Sequence, residues 1–179
     1  RKAIHPFFQK KYLDKLCSNI AIVNNGEEIT FEQLLITDNS NREDFIIIDR
    51  QVTDHILAGK RMDLLALKKV KDNEYNFVVL EVKLGNNKEL GGQVASQLRF
   101  YVDHIEANFK TWKESYEETY SQMRKAGLFG GTFNSTIKIS KPVQGVVVVG
   151  GYSGIADKYI ANLQRVDPGL SVKQFRNLL

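Results

Sequence analysis

The sequence predicts an α/β fold, a mixed sheet that begins as β-hairpins, finishes as β-α-β and is flanked by helices. Three observations carry that expectation. Between residues 45 and 84, three segments rich in β-branched and aromatic residues follow one another across short polar connections. Residues 93–126 then run without Gly or Pro, which requires one long helix or two. After them come an apolar run, Val143 to Val149, a helical stretch and a short final strand. Hairpins followed by alternating helix and strand define the class.

Length and composition narrow the field. A chain of 179 residues that is 42% hydrophobic and 26% charged can build one packed domain, and intrinsic disorder is disfavoured. The single Cys17 excludes a disulfide scaffold and cannot alone supply a structural zinc site. The longest apolar stretch, around Val146 to Val149, is too short to span a bilayer, so no membrane association is expected. The start, Arg-Lys-Ala-Ile-His-Pro, lacks the apolar run of a signal peptide, and the expected location is the cytoplasm. It also lacks Met, so the chain is expected to be cut from something longer. A net charge of +4 permits a polyanionic partner without requiring one.

Each element has its own signal. Phe7, Phe8, Tyr12, Leu13 and Leu16 have helical spacing over Pro6 to Cys17, and Asn24-Asn25-Gly26 marks a turn. The polar cluster Thr37 to Asp44 then sets residues 1–43 apart as an N-terminal α/β appendage to a core at 44–179, within a single domain 1–179. Strands are expected at Phe45–Thr53, at Arg61–Leu67 after Ala58-Gly59, and at Phe77–Leu84, with Lys68 to Asn76 as a polar connection. Gly91-Gly92 opens the helical region and glycines 127, 130 and 131 close it. Val143–Val149 fits a strand buried on both faces, Gly150–Gly154 a loop, Ala156–Val166 a helix and Leu170–Phe175 an edge strand.

The third strand carries the chemistry. Its side chains alternate between faces, so Val78, Leu80, Val82 and Leu84 make one face wholly apolar. The other face begins with Phe77 and Val79 and ends with Glu81 and Lys83. Unpaired charges at that depth cost several kcal/mol, roughly, unless a partner or ligand neutralises them. A hairpin centred on Asp72 places Asp63 directly opposite Glu81, on the same face. A two-residue turn at Asp72-Asn73 would instead set Asp63 against the apolar face and is rejected on that ground. Two neighbouring carboxylates repel, and one keeps its proton unless a cation joins them. A divalent metal with oxygen ligands resolves the conflict, and so does a salt-bridged Asp63–Lys83–Glu81 cluster at a sheet edge; the residues leave both open.

Asp63, the Glu81-Val82-Lys83 strand end, the Gly91-Gly92 pair and Gln97-Leu98-Arg99-Phe100-Tyr101 on the helix come in an order that resembles the PD-(D/E)XK nuclease superfamily. The Gln-x-x-x-Tyr motif resembles its RecB-like and NucS-type branch, over about residues 45–175. Met62 stands where the motif's name has Pro, a position that varies in the family. The resemblance implies a restriction-endonuclease-like fold and metal-dependent hydrolysis of phosphodiester bonds in DNA. It implies Asp63 and Glu81 as ligands of Mg²⁺ or Mn²⁺, with the Val82 carbonyl as a further ligand. It implies Lys83 as the group that orients the attacking water or stabilises the transition state. Gln97 would touch the metal-bound water or the DNA backbone, and Tyr101 would support the site or the substrate. A third carboxylate often comes from an earlier helix or strand, and Glu32, Asp49 and Asp54 are the candidates. A further domain, a partner subunit or a homodimer is compatible with such a chain.

The remaining features carry less. His5, His55 and His104 lack a mutual metal-ligand spacing. Lys68-Lys69-Val70-Lys71 caps a hairpin, and the alternating charges between Glu106 and Lys125 indicate an exposed helix. Gly150 to Gly154 lacks the Lys-Ser/Thr ending of a phosphate-binding P-loop. No Gly-x-Ser-x-Gly elbow supplies a nucleophile. The competing function is a nucleic-acid-binding or assembly module that keeps the fold without the chemistry; intact Asp63, Glu81 and Lys83 count against it.

Overall fold

The computed structural model describes residues 26–53, 60–129, 133–151 and 154–175. The helix expected at Pro6–Cys17, and Asp54, His5 and His55, lie outside the described residues. The elements are α1 (Glu27–Asn39), β1 (Phe45–Thr53), β2 (Arg61–Lys71), β3 (Glu74–Leu84), a 3-10 turn (Lys88–Gly91), α2 (Gln93–Ala107), α3 (Phe109–Lys125), β4 (Lys138–Gly150), α4 (Gly154–Val166) and β5 (Ser171–Phe175). They form an α/β fold with a five-stranded mixed sheet in the order β1-β2-β3-β4-β5. The first three strands are antiparallel neighbours, whereas β3, β4 and β5 run parallel. The long run without Gly or Pro is two helices, broken at Asn108.

The β2–β3 hairpin corrects one expectation and keeps its consequence. Its tip is the rejected two-residue turn, with Lys71 paired to Glu74 and Asp72 in the left-handed region at φ 39°. A bulge between Lys69 and Lys71 absorbs one residue, so the pairs from Lys69–Tyr75 to Leu64–Leu80 follow the register centred on Asp72. One step beyond Leu64–Leu80 brings Asp63 opposite Glu81. The polar connection expected at Lys68 to Asn76 is mostly strand. Tyr75 is fully buried with its hydroxyl donating to the Glu43 carbonyl, and the Asn76 amide donates to the Ser140 carbonyl at 2.7 Å. β4 correspondingly starts at Lys138, five residues before the expected Val143.

The sheet packs on both faces. Leu65, Leu67, Phe77, Val79, Val147 and Val149 face α2, α3 and α4, which contribute Val94, Leu98, Ile105, Trp112, Tyr120 and Leu163 among others. Leu64, Ala66, Val78, Leu80, Val82 and Val148 form the other face, covered in part by Phe31 of α1. Residues 27–39, within the expected appendage, therefore pack on the sheet. Two glycines permit the contacts. A Cβ at Gly145 would meet Leu98 at 2.9 Å and Val102 at 3.0 Å, and one at Gly150 would meet the Phe31 ring at 2.5 Å.

The charge alternation from 106 to 125 is not simply a solvated face. Between Ser140 and Gln144, β4 carries extra residues opposite Phe77. Glu106 accepts from the Val143 amide and Glu117 from the Ile139 amide, both at 2.7 Å. The helices thus supply acceptors to β4 beside its irregularity.

Candidate functional site

At the C-terminal end of β3 the helix-bearing face changes from apolar to charged. Glu81 is 2% exposed and Lys83 6%, and they continue at two-residue steps the face that Phe77 and Val79 begin. The Lys83 Nζ lies 2.9 Å from Glu81 Oε1 and 3.5 Å from Asp63 Oδ2, so it bridges the two carboxylates. Asp63 Oδ2 also accepts from the Val82 amide at 2.8 Å, which ties β2 to β3 beyond the last ladder pair. The sequence brings Asp63, Glu81, Val82 and Lys83 together as expected from the register.

Further acids surround this trio. Glu89, on the 3-10 turn, lies 3.6 Å from Lys83 Nζ. Glu28 at the start of α1 accepts from the Leu84 amide and from Asn87 Nδ2, at 3.2 and 2.7 Å. Glu32, one turn later, is buried and takes the Gln51 amide on both oxygens at 3.1 and 3.0 Å, with Arg50 at 3.5 Å. Gln51 on β1 stands opposite Asp63 on β2, between the pairs Arg50–Leu64 and Val52–Met62. Its φ of 53° is left-handed, rare for a residue with a Cβ.

The electrostatics follow from burial and from an excess of negative charge. Burial, then the neighbouring Asp63, push the Glu81 carboxyl up to about 7, against the opposing pull of Lys83. Burial also raises Asp63, with Lys83 and the Val82 amide opposing. Burial works against the Lys83 ammonium, but Glu81 and Asp63 outweigh it and hold the group above its ordinary range. Burial raises Glu32, the Gln51 bond opposes, and Asp63 raises it further. One ammonium thus serves two neighbouring carboxylates, and burial with mutual repulsion leaves both easier to protonate than ordinary acids.

The helix residues differ in role. Tyr101 is buried and its hydroxyl donates to the Arg61 carbonyl at 2.9 Å, anchoring α2 to the start of β2. Burial, then Glu81 and Asp63, lift its phenol to about 12, which places the ring within the field of the cluster. Gln97 lies one turn earlier, and its Oε1 is enclosed without a hydrogen-bond partner. Glu81 Oε2 is enclosed and unpartnered as well. Val94 and Leu98 are buried and Val102 packs on the same core.

Of the candidates for a third carboxylate, Glu32 senses both Asp63 and Lys83. Asp49 is exposed and engaged elsewhere, accepting the Tyr116 hydroxyl at 2.8 Å. Asp54 lies outside the described residues. Sequence reasoning missed Glu28, Gln51 and Glu89. Glu28 and Glu89 sit in polar stretches where nothing marks them out, and only the fold brings them to β3.

Among the described residues, no three His, Cys, Asp or Glu side chains are grouped as a set that could hold a metal ion. The donor chemistry nonetheless suits a hard divalent cation, because two facing carboxylates and an unpartnered Glu81 Oε2 offer oxygen alone. The Lys83 ammonium already occupies the space between the two acids as a cation. Among the described residues no helix is long and apolar enough to cross a membrane. Compared with known proteins, the chain matches no family model and shows no significant match to a curated protein or a solved structure.

Proposed function

We propose that the chain is a metal-dependent nuclease of restriction-endonuclease-like fold that hydrolyses phosphodiester bonds in DNA. The observation that carries this reading is the pairing of half-buried Asp63 with buried Glu81, whose Oε2 is unpartnered at the end of an otherwise apolar strand. Buried polar atoms are ordinarily satisfied, and a metal ion or its bound water would satisfy this one. Asp63 and Glu81, with the Val82 carbonyl, would hold Mg²⁺ or Mn²⁺. When bound, such an ion supplies an acidified water and charge neutralisation at phosphate.

The protein's own groups divide the remaining work. Lys83 keeps its proton and offers N–H donors toward charge that develops on phosphate oxygens. Gln97 offers Oε1 as an acceptor for the attacking water or a second group on the substrate. Tyr101, bonded to the Arg61 carbonyl, acts by fixing α2 against β2. Purified chain with Mn²⁺ or Mg²⁺ is expected to nick single-stranded, duplex or branched DNA, and Asp63→Ala and Glu81→Ala to abolish both cleavage and calorimetric metal binding. Lys83→Ala is expected to keep metal binding and lose rate. Wild-type chain that neither binds metal nor cleaves any of these substrates would overturn the reading.

One observation favours a second reading, a non-catalytic nucleic-acid-binding or assembly module. Lys83 already bridges Asp63 and Glu81, and a closed ion cluster of that kind can hold β2 to β3 without any metal. The same calorimetry separates the two readings.

A further inference from the structure

The solvent side of α2 carries a row of side chains of which the catalytic reading uses only Gln97. Gln93, Ser96 and Phe100 are exposed, with Gln97 half-buried among them. The Phe100 ring is 39% exposed, and the Lys60 ammonium sits 4.6 Å from its centroid. Phe100 meets Tyr101 edge-on at 5.8 Å, and the Tyr101 hydroxyl grips the Arg61 carbonyl. The ring therefore lies beside the start of β2. Strand alternation turns Arg61 to the same sheet face as Asp63, about 7 Å along the strand. At the other end of the row, about 10 Å along the helix, a crevice of about 470 Å³ is lined by Lys88, Glu89, Gly91, Gly92, Gln93 and Ser96.

We propose that this row is a binding track for single-stranded nucleic acid. One base stacks on Phe100, Lys60 and Arg61 take the phosphates beside it, and the strand runs along α2 past Gln97 toward the crevice at Lys88. The inference rests on the nuclease reading only for the site that the track feeds. Charge and shape select the partner. Glu28, Glu32, Asp63, Glu81 and Glu89 crowd around Lys83 and repel phosphate, so the cations outside that cluster are the ones left to recruit it. Arg99 is not among them, because Asp167 pairs with it. An aromatic face beside lysine and arginine is the arrangement that binds unpaired bases with little sequence preference. A base inside a duplex keeps both faces stacked and has none to offer Phe100.

The test is fluorescence anisotropy with labelled oligo-dT, oligo-U and a duplex, in EDTA and again in Ca²⁺, across a salt titration. Wild-type chain is expected to bind the single strands more tightly than the duplex, and the dT and U arms decide between DNA and RNA. Phe100→Ala is expected to weaken single-strand binding about tenfold, and Phe100→Trp to preserve it. Lys60→Ala is expected to lower the slope of log affinity against log salt by about 0.7. Leu128→Ala, at another exposed apolar side chain, is expected to change nothing. Wild-type affinity in Phe100→Ala, equal affinity for duplex, or no binding in either buffer would overturn the proposal. Oligonucleotide binding through Phe100 in a chain without metal binding or cleavage would sink the nuclease reading and leave this one standing.

Discussion

The two ends of β3 bury polar groups in opposite ways. Near the hairpin tip the strand's own buried polar side chains, Tyr75 and Asn76, are both answered. Tyr75 donates to the Glu43 carbonyl, Asn76 to Ser140, and Asn134 reaches across to the Asp72 carbonyl. Toward the far end of the same strand, six residues on from Tyr75, Glu81 Oε2 has no partner, nor has Gln97 Oε1 on α2, and two carboxylates share one ammonium. The first arrangement is closed, as a structural polar network must be. The second is open and carries an excess of negative charge, a local rule broken where a ligand would mend it.

The sharpest way to break this comparison is to neutralise each end and read both function and stability. At the open end, Glu81→Gln and Asp63→Asn are expected to eliminate Mn²⁺ binding and cleavage while the metal-free chain stays folded. Glu81→Gln leaves Asp63 and Lys83 as a balanced pair, so its thermal stability without metal is expected to equal or exceed that of the wild type at neutral pH. A loss of stability as large as the loss of function would assign the cluster to the fold instead.

A pH titration of stability in EDTA comes next in size. Burial, with Asp63 beside it, pushes the Glu81 carboxyl up to about 7 in the folded chain from its ordinary 4.5. The folded state therefore binds its proton more tightly than the unfolded state. This group's contribution is most favourable below pH 4.5, declines as pH rises to about 7 and is flat above that. The decline amounts to at most about 3 kcal/mol. Urea melts from pH 4.5 to 8 are expected to show it in the wild type and to lose it in Glu81→Gln. The hairpin-tip end carries no such group, so Asn76→Ala is expected to leave the pH profile unchanged. That substitution should instead cost about 1–3 kcal/mol at every pH, because the Ser140 carbonyl loses its donor, with metal affinity intact.

How much of this was legible depends on the distance over which each interaction acts. Strand alternation placed Glu81 and Lys83 on one face from eight consecutive residues, and the hairpin register brought in Asp63 without coordinates. The register was right although the turn was not, because a bulge at Val70 cancelled the error in the tip. The extent of the hairpin was misread since Lys68 to Asn76 is polar, and what holds it extended is β4, paired from Glu74–Lys138 onward. Glu28, Gln51 and Glu89 were invisible for a related reason. Each reaches the site through a separate element, and no periodicity links them to β3. Glu106 and Glu117 resembled an exposed charge ladder, and only the irregular β4 amides explain their use.

The smallest effect expected is at Gln51, and it tests how the open end is assembled. In a strand, glycine is ordinarily worse than alanine, since it gives up more backbone freedom on folding. At Gln51 the backbone has φ 53°, where a Cβ is strained and glycine is not. Both Gln51→Ala and Gln51→Gly lose the amide that meets the two oxygens of Glu32. They differ only in whether the strain remains. Gln51→Gly is therefore expected to be the more stable of the two by about 1 kcal/mol, with the ordinary order reversed. Chemical denaturation of the pair reads that difference directly. If alanine proves the better residue, β1 does not hold a left-handed turn beside Asp63. Glu32 is then placed by α1 and Arg50 without help from a turn at Gln51.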